Sequence, residues 1–137
     1  MKKITVFLFL ILILTGCSKK YNCTYTEDNN GILKEEILSL KFKNDKLVKV
    51  IDNITLTLSK EYEDAIKSTY DTINSEYRKY KKLEGYTVKT KLDNNKIITN
   101  LKIDLNKTKS KSIHLFDTSL KKDEIINELE ENGYVCK

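Results

Sequence analysis

The sequence predicts an α+β fold: one antiparallel sheet of about five strands, in the order β-β-β-α-β-β-α, with two helices packed on one face. Apolar residues alternate with polar ones, as in half-buried strands, on both sides of a central stretch in which the apolar spacing becomes helical. A second amphipathic stretch near the carboxyl terminus predicts the other helix. The 137 residues contain no proline and no internal linker, so we expect a single domain over residues 21–137.

Three strands are predicted before the central helix. The first runs from Tyr21 to about Thr26, and a turn-rich segment follows at residues 27–31. A hairpin turn at Asn44-Asp45 joins the second and third strands. The polar pair Asp52-Asn53 interrupts the third, so we expect a bulge or bend there. The alternating apolar residues are Tyr21, Cys23 and Tyr25, then Leu38, Leu40 and Phe42, then Val48, Val50, Ile54, Leu56 and Leu58.

The central helix is predicted between Ser59, a suitable N-cap, and Gly85, which can close it. Acidic residues at its start and basic residues at its end suit the helix dipole. Its stripe consists of Tyr62, Ile66, Tyr70, Ile73, Tyr77 and Tyr80.

Two further strands are predicted at residues 86–92 and 97–105, joined by a turn at residues 93–95. Residues 106–112 form a polar loop, and residues 113–116 are a short strand or a loop packed on the core. Ser119 is expected to cap the last helix, and an extended tail then returns toward Cys23. The apolar stripe of this helix is Leu120, Ile125, Ile126 and Leu129.

The amino terminus has the features of an exported, lipid-modified protein. A basic start is followed by an apolar segment, residues 4–14, which is about half the length that a membrane span needs. Residues 14–17, Leu-Thr-Gly-Cys, form a bacterial lipobox. We therefore predict a signal peptide at residues 1–16, a diacylglyceryl anchor with palmitate-type chains on Cys17, and a short tether at residues 17–20. Two acyl chains hold a protein firmly on a membrane, so the predicted location is the extracytoplasmic face of the cell membrane.

Three cysteines leave one without a partner, and lipidation of Cys17 accounts for it. Cys23 and Cys136 then flank the domain, and in an exported protein a structural disulfide between them is the natural interpretation. The alternative is that one of them is a nucleophile or half of a redox pair, although redox cysteines usually lie two residues apart.

Few other residues predict chemistry. His114 is the only histidine, and it is interpreted as a packed or solvated loop residue. We find no phosphate loop, zinc spacing or nucleophile elbow, and predict no enzyme, cofactor or metal. The tyrosines of the central helix either pack in the core or form an aromatic groove for a peptide or glycan; the candidate ligand-binding residues are Tyr62, Tyr70, Tyr77 and Tyr80.

The charge is mildly basic, at a formal +5, and the signal peptide contributes two of the lysines. The lysines gather around the two hairpins. The lysine-bearing faces of strands are usually just solvated, but they could also rest on anionic lipid or a cell-wall polymer. Nucleic acid is not an expected partner outside the cell. The hairpin lysines are Lys34, Lys41, Lys43, Lys46 and Lys49, then Lys89, Lys91, Lys96 and Lys102.

The sequence resembles the YehR-like family of small bacterial lipoproteins of unknown function. Three stretches carry the resemblance: the lipobox at residues 14–17; the Tyr-rich helix running into residues 83–88; and residues 103–105, followed by the Glu-rich helix that ends at residues 132–134. The resemblance implies the α+β fold and a surface location, and it supplies no catalytic residues.

The leading functional hypothesis is a monomeric, membrane-anchored, non-catalytic binding module of the cell envelope. One alternative is a carrier that holds a lipid or peptide between sheet and helices. The other is a thiol-dependent envelope enzyme that uses Cys23 or Cys136 with His114.

Overall fold

The computed structural model describes residues 17–108, 112–113 and 116–137, and it confirms the α+β class. Within these ranges, six strands form one antiparallel sheet in the order β4-β5-β3-β2-β1-β8, and β6 pairs with β7 in a separate two-stranded sheet. The strands are β1 Ser18–Asn29, β2 Ile32–Lys43, β3 Lys46–Leu58, β4 Tyr86–Asp93, β5 Lys96–Asp104, β6 Ser112–Ile113, β7 Phe116–Asp117 and β8 Val135–Cys136; the helices are α1 Ile66–Arg78 and α2 Lys122–Glu131.

The register of the sheet places alternate residues on two unlike faces. Cys23, Leu38, Asp52, Leu101 and Val88 are successive cross-strand partners across β1, β2, β3, β5 and β4, so they share one face, here called the inner face. Both helices contribute to the core on this face. The opposite, outer face carries mostly polar side chains and no helix among the described residues.

The core fills the space between the inner face and the helices. Apolar side chains of the five long strands, β1 to β5, meet α1, α2 and the tail that follows α2. The fully or nearly buried members are Cys23, Leu38, Leu40, Phe42, Leu47, Val50, Val88, Leu101, Ile103, Phe116, Ile125, Leu129 and Tyr134.

The first three strands are longer than predicted. β1 begins at Ser18, which pairs with Lys43 of β2. Ser18–Lys20 therefore belong to the sheet and not to the predicted tether. The tight β1–β2 turn allows both strands to continue to its edge, because Asn30 and Gly31 both adopt positive φ, as a two-residue hairpin turn requires.

The bulge predicted at Asp52-Asn53 is wrong in position. Asp52 and its neighbour pair in unbroken register with β2 and β5, and the register shift lies nearer the hairpin, where Lys41 pairs with Lys49 and Phe42 with Leu47. The extra residue, Val48, allows both Leu47 and Val50 to face inward although they are three positions apart. Alternation alone does not reveal this, since Val48 is apolar too.

The central helix is divided. A 3-10 segment, Lys60–Ala65, precedes α1, and a second, Tyr80–Lys82, follows it. Ser59 makes no side-chain capping bond. Likewise, α2 begins after Lys121, whose amide donates to the Glu124 carboxylate at 2.8 Å, and Ser119 is not its cap. No helix in the described ranges has the length and hydropathy that crossing a bilayer requires.

Candidate functional site

The lipidation site lies directly against the sheet. Cys17 is exposed, and its neighbour Ser18 already pairs with Lys43 in β2. A lipid on the Cys17 sulfur is therefore one residue away from a six-stranded sheet. This short connection fixes which end of the domain lies nearest to the membrane.

Cys23 and Cys136 form a disulfide between the neighbouring strands β1 and β8, with 4.0 Å between their Cα atoms. Reciprocal backbone hydrogen bonds of 2.9 Å join Asn22 and Lys137 beside it. The bond closes a sequence separation of 113 residues and holds the two-residue strand β8 on the sheet. The thiol-enzyme hypothesis needs one of these sulfurs to be free, and its histidine, His114, lies outside the described residues.

Two of the four candidate tyrosines of the central helix, Tyr77 and Tyr80, line one shallow pocket of about 310 Å³. Tyr77 and Tyr80 are brought together, with ring centroids 5.9 Å apart, and Tyr80 stacks on Tyr86 of β4 at 5.7 Å. Tyr70 instead has the Lys67 ammonium 5.5 Å from its ring centroid. All four candidates, including Tyr62, are half-buried, and Tyr77 and Tyr80 pack against the core. Ligand binding by these tyrosines stays a prediction.

Sequence reasoning missed a pair of buried carboxyl groups on the inner face. Glu36 of β2 and Asp52 of β3 are each only 1% exposed, and they lie diagonally across the two strands. The Lys34 ammonium lies 2.7 Å from one Glu36 oxygen. The Tyr134 hydroxyl donates a hydrogen bond of 2.8 Å to the other. The charge of Glu36 is thus compensated from two sides.

The surroundings of the pair favour one shared negative charge. Burial, together with the nearby Glu36 carboxylate, raises the pKa of Asp52 to about 7, and Asp52 also hydrogen-bonds to Glu36. A protonated Asp52 can donate that bond. Burial and the two carboxylates likewise raise the pKa of Tyr77 to about 12. Burial and the hydrogen bond to Glu36 raise the pKa of Tyr134 as well.

Lys34 and Tyr25 complete this buried cluster at its rim. The Lys34 ammonium lies 5.3 Å from the Tyr25 ring centroid, a cation–π arrangement, and the Tyr25 ring lies 5.1 Å from that of Tyr134. Lys34 was predicted as one of the surface lysines of the first hairpin. It instead faces inward as the counter-ion of Glu36.

A signal for this cluster exists in the sequence. Lys34 and Glu36 are an even number of positions from Leu38 and Leu40, so they belong on the same face of the strand. The same is true of Asp52 and Val50. A charged residue that occupies one of the alternating apolar positions of a strand lies on the core face and is therefore buried, unless the pairing register shifts. The partners come from β2, β3, α1 and the tail after α2, so only the tertiary structure shows that the charges meet.

The outer face carries an open groove of about 450 Å³. It crosses β3, β5 and β4, and Asn100 donates a hydrogen bond of 2.7 Å to Asn53 across two of these strands. Lys89 and Lys102, both exposed, lie beside these amides. The full lining is Ile51, Asn53, Thr87, Lys89, Asn100, Leu101 and Lys102. Within the part of the chain that the structure describes, no cluster of three His, Cys, Asp or Glu residues could hold a metal ion.

The comparisons agree with the lipid anchor and the fold. Residues 1–18 match the model for the prokaryotic membrane lipoprotein lipid attachment site. No curated protein matches the chain. An NMR structure of a Streptococcus pneumoniae TIGR4 protein is similar over 88% of this chain and 86% of that one, with 14% identity and a TM-score of 0.60. The NMR structure of the Escherichia coli YehR protein is similar over 87% of this chain and 91% of that one, with 16% identity and a TM-score of 0.62.

These findings settle location and fold together. The attachment motif makes this a lipid-anchored membrane protein whose domain lies on the extracytoplasmic face, held through a lipid-modified Cys17. The expected resemblance is confirmed, and the chain is a membrane lipoprotein with the YehR-like fold.

Proposed function

We propose that the protein is a non-catalytic binding module of the cell envelope, which holds an anionic cell-wall polymer against the outer face of its sheet. The observation that carries this proposal is the open groove in that face, about 450 Å³ in volume. Lys89 and Lys102 supply positive charge beside it, and Asn53 and Asn100 supply amide groups that can hydrogen-bond to hydroxyl or phosphate oxygens.

The outer face is also accessible in a way that the inner face is not. No helix covers it among the described residues, and the apolar Ile37 and Val135 on this face are 49% and 58% exposed. An anchored protein with an uncovered, lysine-bearing sheet face suits an extended anionic ligand better than an enclosed small molecule.

The alternatives have less support. The centre of the space between sheet and helices, where a carried lipid or peptide would lie, is occupied by the buried core and by the Glu36–Asp52 pair. An opening of about 400 Å³ lies only at the edge of this space, between the end of β3, the start of α1 and the β4–β5 turn. That pair is too enclosed to meet a substrate without opening of the sheet–helix interface. A thiol-dependent mechanism requires a free Cys23 or Cys136, and the two are bonded to each other.

The test is binding of the mature domain, residues 18–137, to purified cell-wall polymer at low and high salt. We expect salt-sensitive binding that is strongly reduced in Lys89→Gln/Lys102→Gln. The matched control, Lys60→Gln/Lys67→Gln, changes two exposed lysines outside the groove and should bind normally. Equal binding by both variants, or no binding at low salt, would contradict the proposal.

Two further measurements address the alternatives. A small molecule that co-purifies in native mass spectrometry would favour the carrier. Two alkylatable thiols in the exported protein, in addition to lipid-modified Cys17, would favour the thiol enzyme.

A further inference from the structure

Positive charge is concentrated at the end of the sheet where the lipid anchor is attached. This end, called the basic end below, consists of residues 18–20, 41–46 and 121–124. It contains seven lysines but only three acidic residues. Residues 17–137 carry a formal net charge of +3, so the rest of the domain is net negative. The lysines are Lys19, Lys20, Lys41, Lys43, Lys46, Lys121 and Lys122.

The three segments of the basic end meet through described contacts. Ser18 pairs with Lys43, which in turn pairs with Lys46 across the β2–β3 hairpin. The start of α2 joins them, because the Lys122 amide donates a hydrogen bond of 3.2 Å to the Asp45 carbonyl. Lysines far apart in the sequence thus form one surface.

Part of the acidic charge at this end is already compensated. The Lys122 ammonium lies 2.7 Å from Asp123, whose pKa is lowered by Lys122 and, to a smaller extent, by Lys19. Glu124 accepts the Lys121 amide as part of the helix start. The exposed lysines Lys43, Lys46 and Lys121 have no comparable ion pair among the described residues.

The anchor leaves this surface little freedom to move away from the bilayer. Only Cys17 separates the acyl chains from Ser18, the first residue of β1, and one residue spans about 3.8 Å between Cα atoms. The basic end therefore lies at the depth of the lipid headgroups whenever the acyl chains are inserted.

We propose that the basic end docks on anionic lipid headgroups and fixes the orientation of the domain on the membrane. Phosphate groups of the lipids face Lys43, Lys46 and Lys121, and the strands run away from the bilayer. β1 has 12 residues, which at about 3.3 Å each extend about 40 Å. The outer-face groove is then held above the membrane, and it opens parallel to the membrane plane and not toward the bilayer. This docking needs only the lipid anchor and does not depend on polymer binding.

Lipid headgroups are the chosen occupant because a lipid is covalently attached one residue away. Each lysine near an anionic surface strengthens adsorption about fivefold, so three of them together contribute about 100-fold. Salt screens such contacts over a distance of about 10 Å at 0.1 M.

The test uses the full mature lipoprotein in vesicles of phosphatidylcholine alone or with phosphatidylglycerol. Hydrogen exchange is measured at residues 41–47 and 119–123. We expect exchange at both segments to slow at least threefold on the anionic vesicles and to recover in 0.5 M salt. The effect should vanish in Lys43→Gln/Lys46→Gln/Lys121→Gln. It should persist in the control Lys60→Gln/Lys67→Gln/Lys96→Gln, whose lysines are also exposed but lie outside the basic end.

A second measurement separates docking from anchoring. The chain with Cys17→Ser, produced without residues 1–16, has no lipid but contains every residue of the sheet, the core and the disulfide. Its adsorption to anionic vesicles should fall about 100-fold in the triple basic-end variant and little in the control. Equal exchange on both vesicle types, or equal losses in both variants, would overturn the proposal. Polymer binding through Lys89 and Lys102 is measured without vesicles, so either proposal can fail alone.

Discussion

Replacement of Asp52 by Asn should remove a pH dependence that the buried carboxyl pair gives to the stability of the fold. Burial and the Glu36 carboxylate raise the pKa of Asp52 from 3.8 to about 7. Between these two values the folded protein keeps a proton that the unfolded chain releases. The wild-type free energy of unfolding therefore falls as pH rises through this window, and the contribution of Asp52 is fully present only below about pH 4.

The magnitude follows from the width of the window. Each pH unit costs about 1.4 kcal/mol, and the window covers about three units, so the loss is of order 4 kcal/mol and is complete above about pH 7. Asp52→Asn has nearly the same size, stays neutral, and can still donate a hydrogen bond to Glu36. Relative to wild type, its free energy of unfolding should rise by about 4 kcal/mol between pH 4 and pH 7.5.

Urea unfolding at half-unit steps from pH 4 to pH 8, with the disulfide intact, measures this difference directly. The exposed substitution Asp28→Asn is a matched control, since it removes a carboxylate of the same type outside the core. For the control, the free energy of unfolding relative to wild type should not change with pH. If the same holds for Asp52→Asn, the assignment of a shared proton in the buried pair is refuted.

Three other substitutions test the contacts that hold the fold, each by urea unfolding at pH 7. Replacement of both Cys23 and Cys136 by Ala should lower the free energy of unfolding by about 4 kcal/mol, because the bond closes a sequence separation of 113 residues; an unchanged midpoint would contradict a structural role. Lys34→Met should cost about 2 kcal/mol, since a buried carboxylate loses its cation, whereas the exposed control Lys67→Met should cost little. Tyr134→Phe should cost about 2 kcal/mol, because it removes a hydrogen bond to that carboxylate; a cost below about 0.5 kcal/mol would show that the bond contributes little.

The periodicity of the sequence was sufficient to predict the fold class, because a two-residue period and a helical period bury different sets of residues. It placed Leu38, Leu40 and Val50 on one face correctly. It could not divide the central helix, because a tyrosine every three or four positions suits both a 3-10 and an α segment. It also could not locate the bulge, because the extra residue, Val48, is apolar like its neighbours.

The candidate site was predicted less well than the fold. The cysteine count identified the partners Cys23 and Cys136, since lipidation leaves only two sulfurs. The buried pair escaped because Glu36 and Asp52 are acidic, and acidic residues in a strand are ordinarily read as interruptions. The charge of Glu36 is compensated by Lys34 and by Tyr134, which is 98 positions away, and local sequence patterns do not show a contact over such a separation.

The lipid on Cys17 and the Cys23–Cys136 disulfide are tested most directly by the intact mass of the protein extracted from membranes, after denaturation and alkylation without a reductant. We expect a chain that begins at Cys17, carries a diacylglyceryl group there, and takes up no alkyl group at Cys23 or Cys136. A mature chain with an unmodified Cys17, or with both other cysteines alkylated, would contradict the anchored, disulfide-closed domain on which both proposals depend.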